Sequence, residues 1–261
     1  MARKPMMAAN WKMNKTVREA QDYTAALLPR AEDAEGVDVA VYTPFTCLGE
    51  VARMVEDSPV MAGAQDFYYE DSGSFTGEVS APMLLDLGVE SVVVGHSERR
   101  EIFGEDDELV ARKTARAIEA GLLPVVCVGE TKEERDGGEM WDKVSGQVER
   151  VLQEVEDGVG GDQIVFAYEP IWAIGTGDTA SPEDAQDAIG QIRNLLRDLK
   201  GDDFADSVRV LYGGSMKPEN VEEIITQEDV DGGLVGGASL DVDSFIQLIN
   251  ATQEEDLPPT E

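Results

Sequence analysis

Eight short apolar runs recur along this chain, spaced at roughly the 30 residues of a strand-plus-helix unit. They are Pro5–Ala9, Val37–Tyr42, Val60–Ala64, Ser91–Gly95, Leu123–Gly129, Ile164–Tyr168, Val208–Tyr212 and Gly232–Val235. Amphipathic helical stretches separate them, and no linker interrupts the alternation. That order is the signature of βα units around a parallel sheet. Val92-Val93-Val94 and Val125-Val126-Cys127-Val128 are apolar on consecutive positions, as strands covered on both faces must be. Eight such units in 261 residues fit one closed (β/α)8 barrel of α/β class, with a doubly wound open sheet as the alternative. Residues 1–250 read as that single domain, and 251–261, ATQEEDLPPTE, as an acidic tail.

Helix punctuation supports the alternation. Ser181-Pro182-Glu183-Asp184 supplies a cap, a first-turn proline and early negative charge to a helix that ends at Lys200-Gly201. Lys217-Pro218-Glu219 predicts another helix start, and Leu87-Gly88 and Ala120-Gly121 predict helix ends with glycine just beyond.

Charge narrows the partners. Asp plus Glu number 54 against 21 Lys plus Arg, a formal net charge of −33. Phosphate backbones and anionic membrane surfaces both require basic faces, so no nucleic acid and no membrane is expected as partner. With 42% hydrophobic residues the acidity does not mean disorder. Carboxylates are spread through nearly every polar segment, and lysine is scarce, at eight residues. Such a surface suits a salty solvent, where screening relieves its self-repulsion. The two cysteines, Cys47 and Cys127, lie in apolar segments, as expected of a reducing cytoplasm.

In a barrel of this kind chemistry gathers at the carboxyl ends of the strands. Strand 1 is followed by Asn10-Trp11-Lys12 and strand 4 by His96-Ser97-Glu98. Strand 6 ends in Glu169, strand 7 in Gly213-Gly214-Ser215 and strand 8 in Gly236-Gly237. His96 is the chain's single histidine. A lone histidine is more often structural, but this one sits at a strand end and opens a predicted helix, which favours a neutral, donating imidazole. Glu169, between Tyr168 and Pro170-Ile171-Trp172, has the dry and rigid setting that a general base requires. Lys12 reads as an anion holder, and the glycine pairs after strands 7 and 8 offer unobstructed N–H groups where such barrels bind phosphate. Ala173-Ile174-Gly175-Thr176-Gly177 is too apolar for an ordinary exposed loop and reads as a lid.

Together, AANWKMN, GHSERR, YEPIWAIGTGDTA, YGGSM and GGLVGGASL, in this order and spacing, strongly resemble the triosephosphate isomerase family. TPFTCL, GAQD, TGEVSAPML and PVVCVGET agree, so the resemblance spans residues 5 to about 250. It implies interconversion of dihydroxyacetone phosphate and D-glyceraldehyde 3-phosphate through an enediolate. His96 would be the electrophile, Glu169 the base, Asn10 and Lys12 substrate contacts, and Glu98 the acid that positions Lys12 and His96. Gly175, Ser215, Gly236 and Gly237 would bind the phosphate. No metal and no organic cofactor is implied. The resemblance also implies a homodimer in which the loop Phe67 to Val79, with Thr76 near its tip, inserts beside the partner's site. Two departures stand out. Asp178 replaces the lysine or arginine common in the lid's rear hinge, and Met216 replaces a frequent valine. An aldolase would instead need a Schiff-base lysine at an apolar strand end, a role that Lys12 beside Asn10 does not fit.

Overall fold

The computed structural model describes residues 3–32, 34, 36–174 and 180–253. Its strands are β1 (Met6–Asn10), β2 (Asp38–Thr43), β3 (Val60–Ala64), β4 (Ser91–Val94), β5 (Leu123–Val128), β6 (Val165–Tyr168), β7 (Arg209–Tyr212) and β8 (Gly232–Val235). Each pairs in parallel with the next and β8 returns to β1, so the barrel is closed. Closure leaves no sheet edge, which excludes the doubly wound alternative.

Alternate strand residues face opposite ways, and this splits the core in two. Met6, Ala8, Tyr42, Val93, Cys127 and Leu211 belong to a small cluster inside the barrel. Met7, Ala9, Val41, Val94, Val126 and Tyr212 pack outward under the helices as part of a much larger one. Both faces are dry, which is why the runs are apolar on consecutive residues. Inside the barrel the Tyr42 hydroxyl and Ser91 Oγ are 2.6 Å apart.

Strand limits differ from the sequence reading by one residue at half of the ends and agree at the rest. Pro5 stays outside β1 because it has no N–H for the ladder, although its carbonyl accepts from Asp38 N at 2.8 Å. The capping predictions hold at Ser181, whose side chain accepts from Asp184 N in a reciprocal capping box. Gly88 and Gly121 sit just past helix ends at φ +77° and +85°. One prediction needs correction. The helix after β7 does not open at Lys217-Pro218-Glu219; it runs Val221–Ile225. Asn220 closes a turn first, its Oδ1 accepting from Lys217 N and its Nδ2 donating to Ser215 O. Side-chain bonds of this local type compete with helix.

The last described helix, Val242–Thr252, extends two residues into the segment read as tail; residues 254–261 lie outside the described residues. Cys47 and Cys127 are both free and buried. Among the described residues, no helix is long and apolar enough to cross a membrane.

Candidate active site

At the end of β1, Asn10 is buried and its Oδ1 accepts from Lys12 N at 3.0 Å. Trp11 is fully buried and meets Tyr23 edge-on at 4.9 Å, which pins the loop. Lys12 has φ +52°, left-handed backbone that costs a side-chain-bearing residue about 1 kcal/mol. Strain of this kind persists only where surroundings impose it. Here Gln65 Nε2 donates to both Lys12 O (2.9 Å) and Tyr42 O (3.0 Å). The Lys12 ammonium then reaches Glu98 Oε1 at 2.8 Å.

Past β4, His96 caps the helix Ser97–Phe103. Its Nδ1 accepts the Glu98 backbone N–H at 3.2 Å; Glu98 Oε2, at 3.6 Å, is too far to compete. A ring nitrogen that accepts carries no proton, so the donor is Nε2. This atom lies 3.0 Å from Glu169 Oε1. The helix start thus fixes the tautomer, as its position in the sequence suggests.

Glu169 follows β6 and is only 2% exposed. Its backbone N–H bonds Val128 O at 2.8 Å, and its Oε2 accepts Ser97 N–H at 2.9 Å. Burial, with the Glu169 carboxylate close by, pushes the Cys127 thiol well above its usual range. Glycine at 213 is a packing requirement: a Cβ there would come within 2.9 Å of Glu169 Cγ. Glu130, fully buried, accepts from Tyr168 OH (3.1 Å) and Trp172 Nε1 (2.9 Å). It thereby ties down the Ile171–Ala173 turn that leads to the segment read as a lid. Of that segment, Ala173 is buried and Ile174 lines the pocket; Gly175, Thr176 and Gly177, with Asp178, lie outside the described residues.

A pocket of about 720 Å³ opens at this end of the barrel. Asn10, Lys12, His96 and Glu169 line it, together with Ser215, Gly236 and Gly237. Gly236 is held by Ser239, whose N and Oγ both donate to its carbonyl, at 2.9 and 2.7 Å. Among the predicted residues that are described, Glu98 is the exception. It borders a second cavity of about 290 Å³ behind Lys12, together with Met13, Phe45 and Phe103. It reaches the main pocket only through Lys12 and His96. Met216 is buried and lines the main pocket. No metal-ligating group of three or more carboxylate, thiol or imidazole side chains occurs among the described residues.

Gln65, Glu130 and the Ser97 N–H join the site without having been singled out from sequence. Gln65, just past β3 within GAQD, and Glu130, just past β5 within PVVCVGET, each carried a signal in their place after a strand.

A closed barrel that brings a buried carboxylate and an imidazole together at the carboxyl ends of its strands, facing a glycine-edged recess, has the build of a barrel enzyme acting on a small polar substrate. Comparison with known proteins makes the assignment finer. The triosephosphate isomerase family model matches residues 5–252. The chain is 71% identical over 252 residues to the triosephosphate isomerase of Rubrobacter xylanophilus, covering 96% of this chain and 98% of that protein. It is 49% identical over 251 residues to that of a Roseiflexus species (95% and 97% covered) and 50% over 246 residues to that of Chloroflexus aurantiacus (94% and 98%). The chain belongs to the triosephosphate isomerase family, a family of isomerases.

Proposed function

We propose that this chain interconverts dihydroxyacetone phosphate and D-glyceraldehyde 3-phosphate by proton transfer through an enediolate, in glycolysis and gluconeogenesis. The observation that carries the reading is the 3.0 Å approach of His96 Nε2 to Glu169 Oε1, in a pocket that Lys12 and the glycine backbone also line. Glu169 takes the proton from the carbon next to the carbonyl and returns it to the neighbouring carbon. For this its carboxylate must leave the Ser97 N–H that now holds it. The oxyanion that develops is met by donors already in place, the His96 Nε2–H and the Lys12 ammonium. Asn10 and Lys12 contact substrate; Glu98 orients Lys12 from behind. Ser215, Gly236 and Gly237, with Gly175 of the lid, hold the phosphate through backbone N–H groups. Lid closure excludes water and keeps the intermediate from losing phosphate. The chemistry calls for no metal and no organic cofactor.

The same reading makes the protein a cytoplasmic homodimer, in which the loop around Thr76 inserts beside the partner's active site. Support comes from the second cavity and from the apolar side chains exposed beside it, Met13 at 95% and Phe103 at 66%. The net charge of −33 supports a salt-adapted, halophile-like surface, and the acidic sequence beyond Thr252, where the last helix ends, supports an acidic tail after the barrel. A coupled assay with a triose phosphate and a glyceraldehyde-phosphate or glycerol-phosphate dehydrogenase tests the activity, with turnover expected. No turnover at any salt concentration would remove the reading.

A further inference from the structure

The loop after β1 holds a second lysine that this mechanism does not use. Lys15 has φ +73°, again the left-handed region that disfavours a side chain. Its half-buried ammonium lies over the rings of Tyr23 (4.6 Å) and Trp11 (5.2 Å). From there it donates to Leu240 O at 2.9 Å. Leu240 ends the turn Gly237–Leu240, whose opening glycine and its neighbour Gly236 edge the pocket. One side chain thus joins the loop that carries Asn10 and Lys12 to the loop that carries Gly236 and Gly237. Burial pulls the Lys15 pKa down, while Glu19 and Asp241 act the other way.

We propose that Lys15 is a positioning residue for the anion-binding end of the pocket, setting the spacing between Lys12 and the Gly236-Gly237 backbone through its bond to the Leu240 carbonyl. The proposal rests on the reading that this end takes the substrate phosphate. A left-handed lysine held by two rings and a carbonyl of another loop has its backbone and its side chain constrained together. The spacing it sets is therefore stiff.

The test compares Lys15→Met, Lys15→Gly and Lys15→Arg in the full chain. It reads KM for dihydroxyacetone phosphate, Ki for inorganic phosphate, turnover of unphosphorylated D-glyceraldehyde, and Tm. Loss of a charged hydrogen bond predicts that Met and Gly raise KM and Ki about 5- to 10-fold. Turnover of D-glyceraldehyde, which lacks the group that end binds, should fall less than turnover of the triose phosphate. Arg should recover most of the loss. Gly relieves the backbone strain, so it should lose phosphate affinity without losing Tm; it also carries the test should Met fail to fold. Unchanged Ki in folded Met or Gly variants would overturn the proposal, as would a parallel fall for both substrates. Failure of the parent reading looks different: the wild-type chain itself would neither turn over triose phosphate nor be inhibited by inorganic phosphate.

Discussion

One side of the pocket's construction is made of side chains, each bonded to another group: Glu169 to Ser97 N and close to His96, His96 to Glu98 N, Lys12 to Glu98. The other side of it is largely backbone, presented by Gly213, Gly214, Gly236 and Gly237, with little side chain to lose. The first side is set by hydrogen-bond geometry and is therefore sensitive to which atom sits where. The second is set by the absence of Cβ atoms and is sensitive to volume. Damage to the two sides should separate in kinetics: the side-chain end in kcat, the backbone end in KM.

The sharpest test of that division is Glu169→Asp, which keeps the charge and withdraws the carboxylate by one methylene. It should lower kcat by about 10²- to 10⁴-fold, the range for loss of a placed general base, with a much smaller change in KM. Steady-state kinetics in both directions checks this, and a change confined to KM would take Glu169 out of the base role. His96→Gln removes the fixed Nε2 donor and should lower kcat by about 10²-fold or more. An unchanged kcat would make His96 only the cap of its helix. At the backbone end, Gly236→Ala would put a methyl 3.2 Å from Lys12 Cε. It should raise KM and the Ki of inorganic phosphate about 10-fold, or about 1.4 kcal/mol, with kcat changed less. A kcat loss matching that of Glu169→Asp would erase the distinction between the two sides.

The smallest effect is electrostatic. An anionic substrate must approach a chain of net charge −33, so added salt should raise kcat/KM a few-fold by screening the repulsion. A steady fall from low salt upward would mean that local cations at the pocket outweigh the surface.

The unequal construction also explains what could be read from the sequence. The barrel was legible because its strands are largely covered on both faces and show as mostly apolar runs, broken by Asp38 in the second and Arg209 in the seventh, which pair with each other at 2.6 Å. Asn10, His96 and Glu169 were legible because each follows such a run directly, and Lys12 because it comes within three residues of one. Gln65 and Glu130 were harder, since each acts on residues distant in the chain: Gln65 Nε2 bonds Lys12 O, 53 residues away, and Glu130 bonds Trp172, 42 residues away. Neither pairing has a local pattern. The helix start expected at Lys217 failed for a related reason, because Asn220 bonds back into its own turn. Lys15 resembles an ordinary polar residue ahead of a helix until β1 and β8 are placed side by side.

The central claim is that Glu169 moves a proton between two carbons at a site completed by His96 and Lys12. Incubating dihydroxyacetone phosphate with the protein in D₂O and following the substrate C–H signals by NMR tests it most directly. The wild-type chain should yield product and recovered substrate carrying deuterium on the carbon that exchanges, and Glu169→Gln should leave those protons in place over the same period. Deuterium incorporation by Glu169→Gln at the wild-type rate would contradict the account.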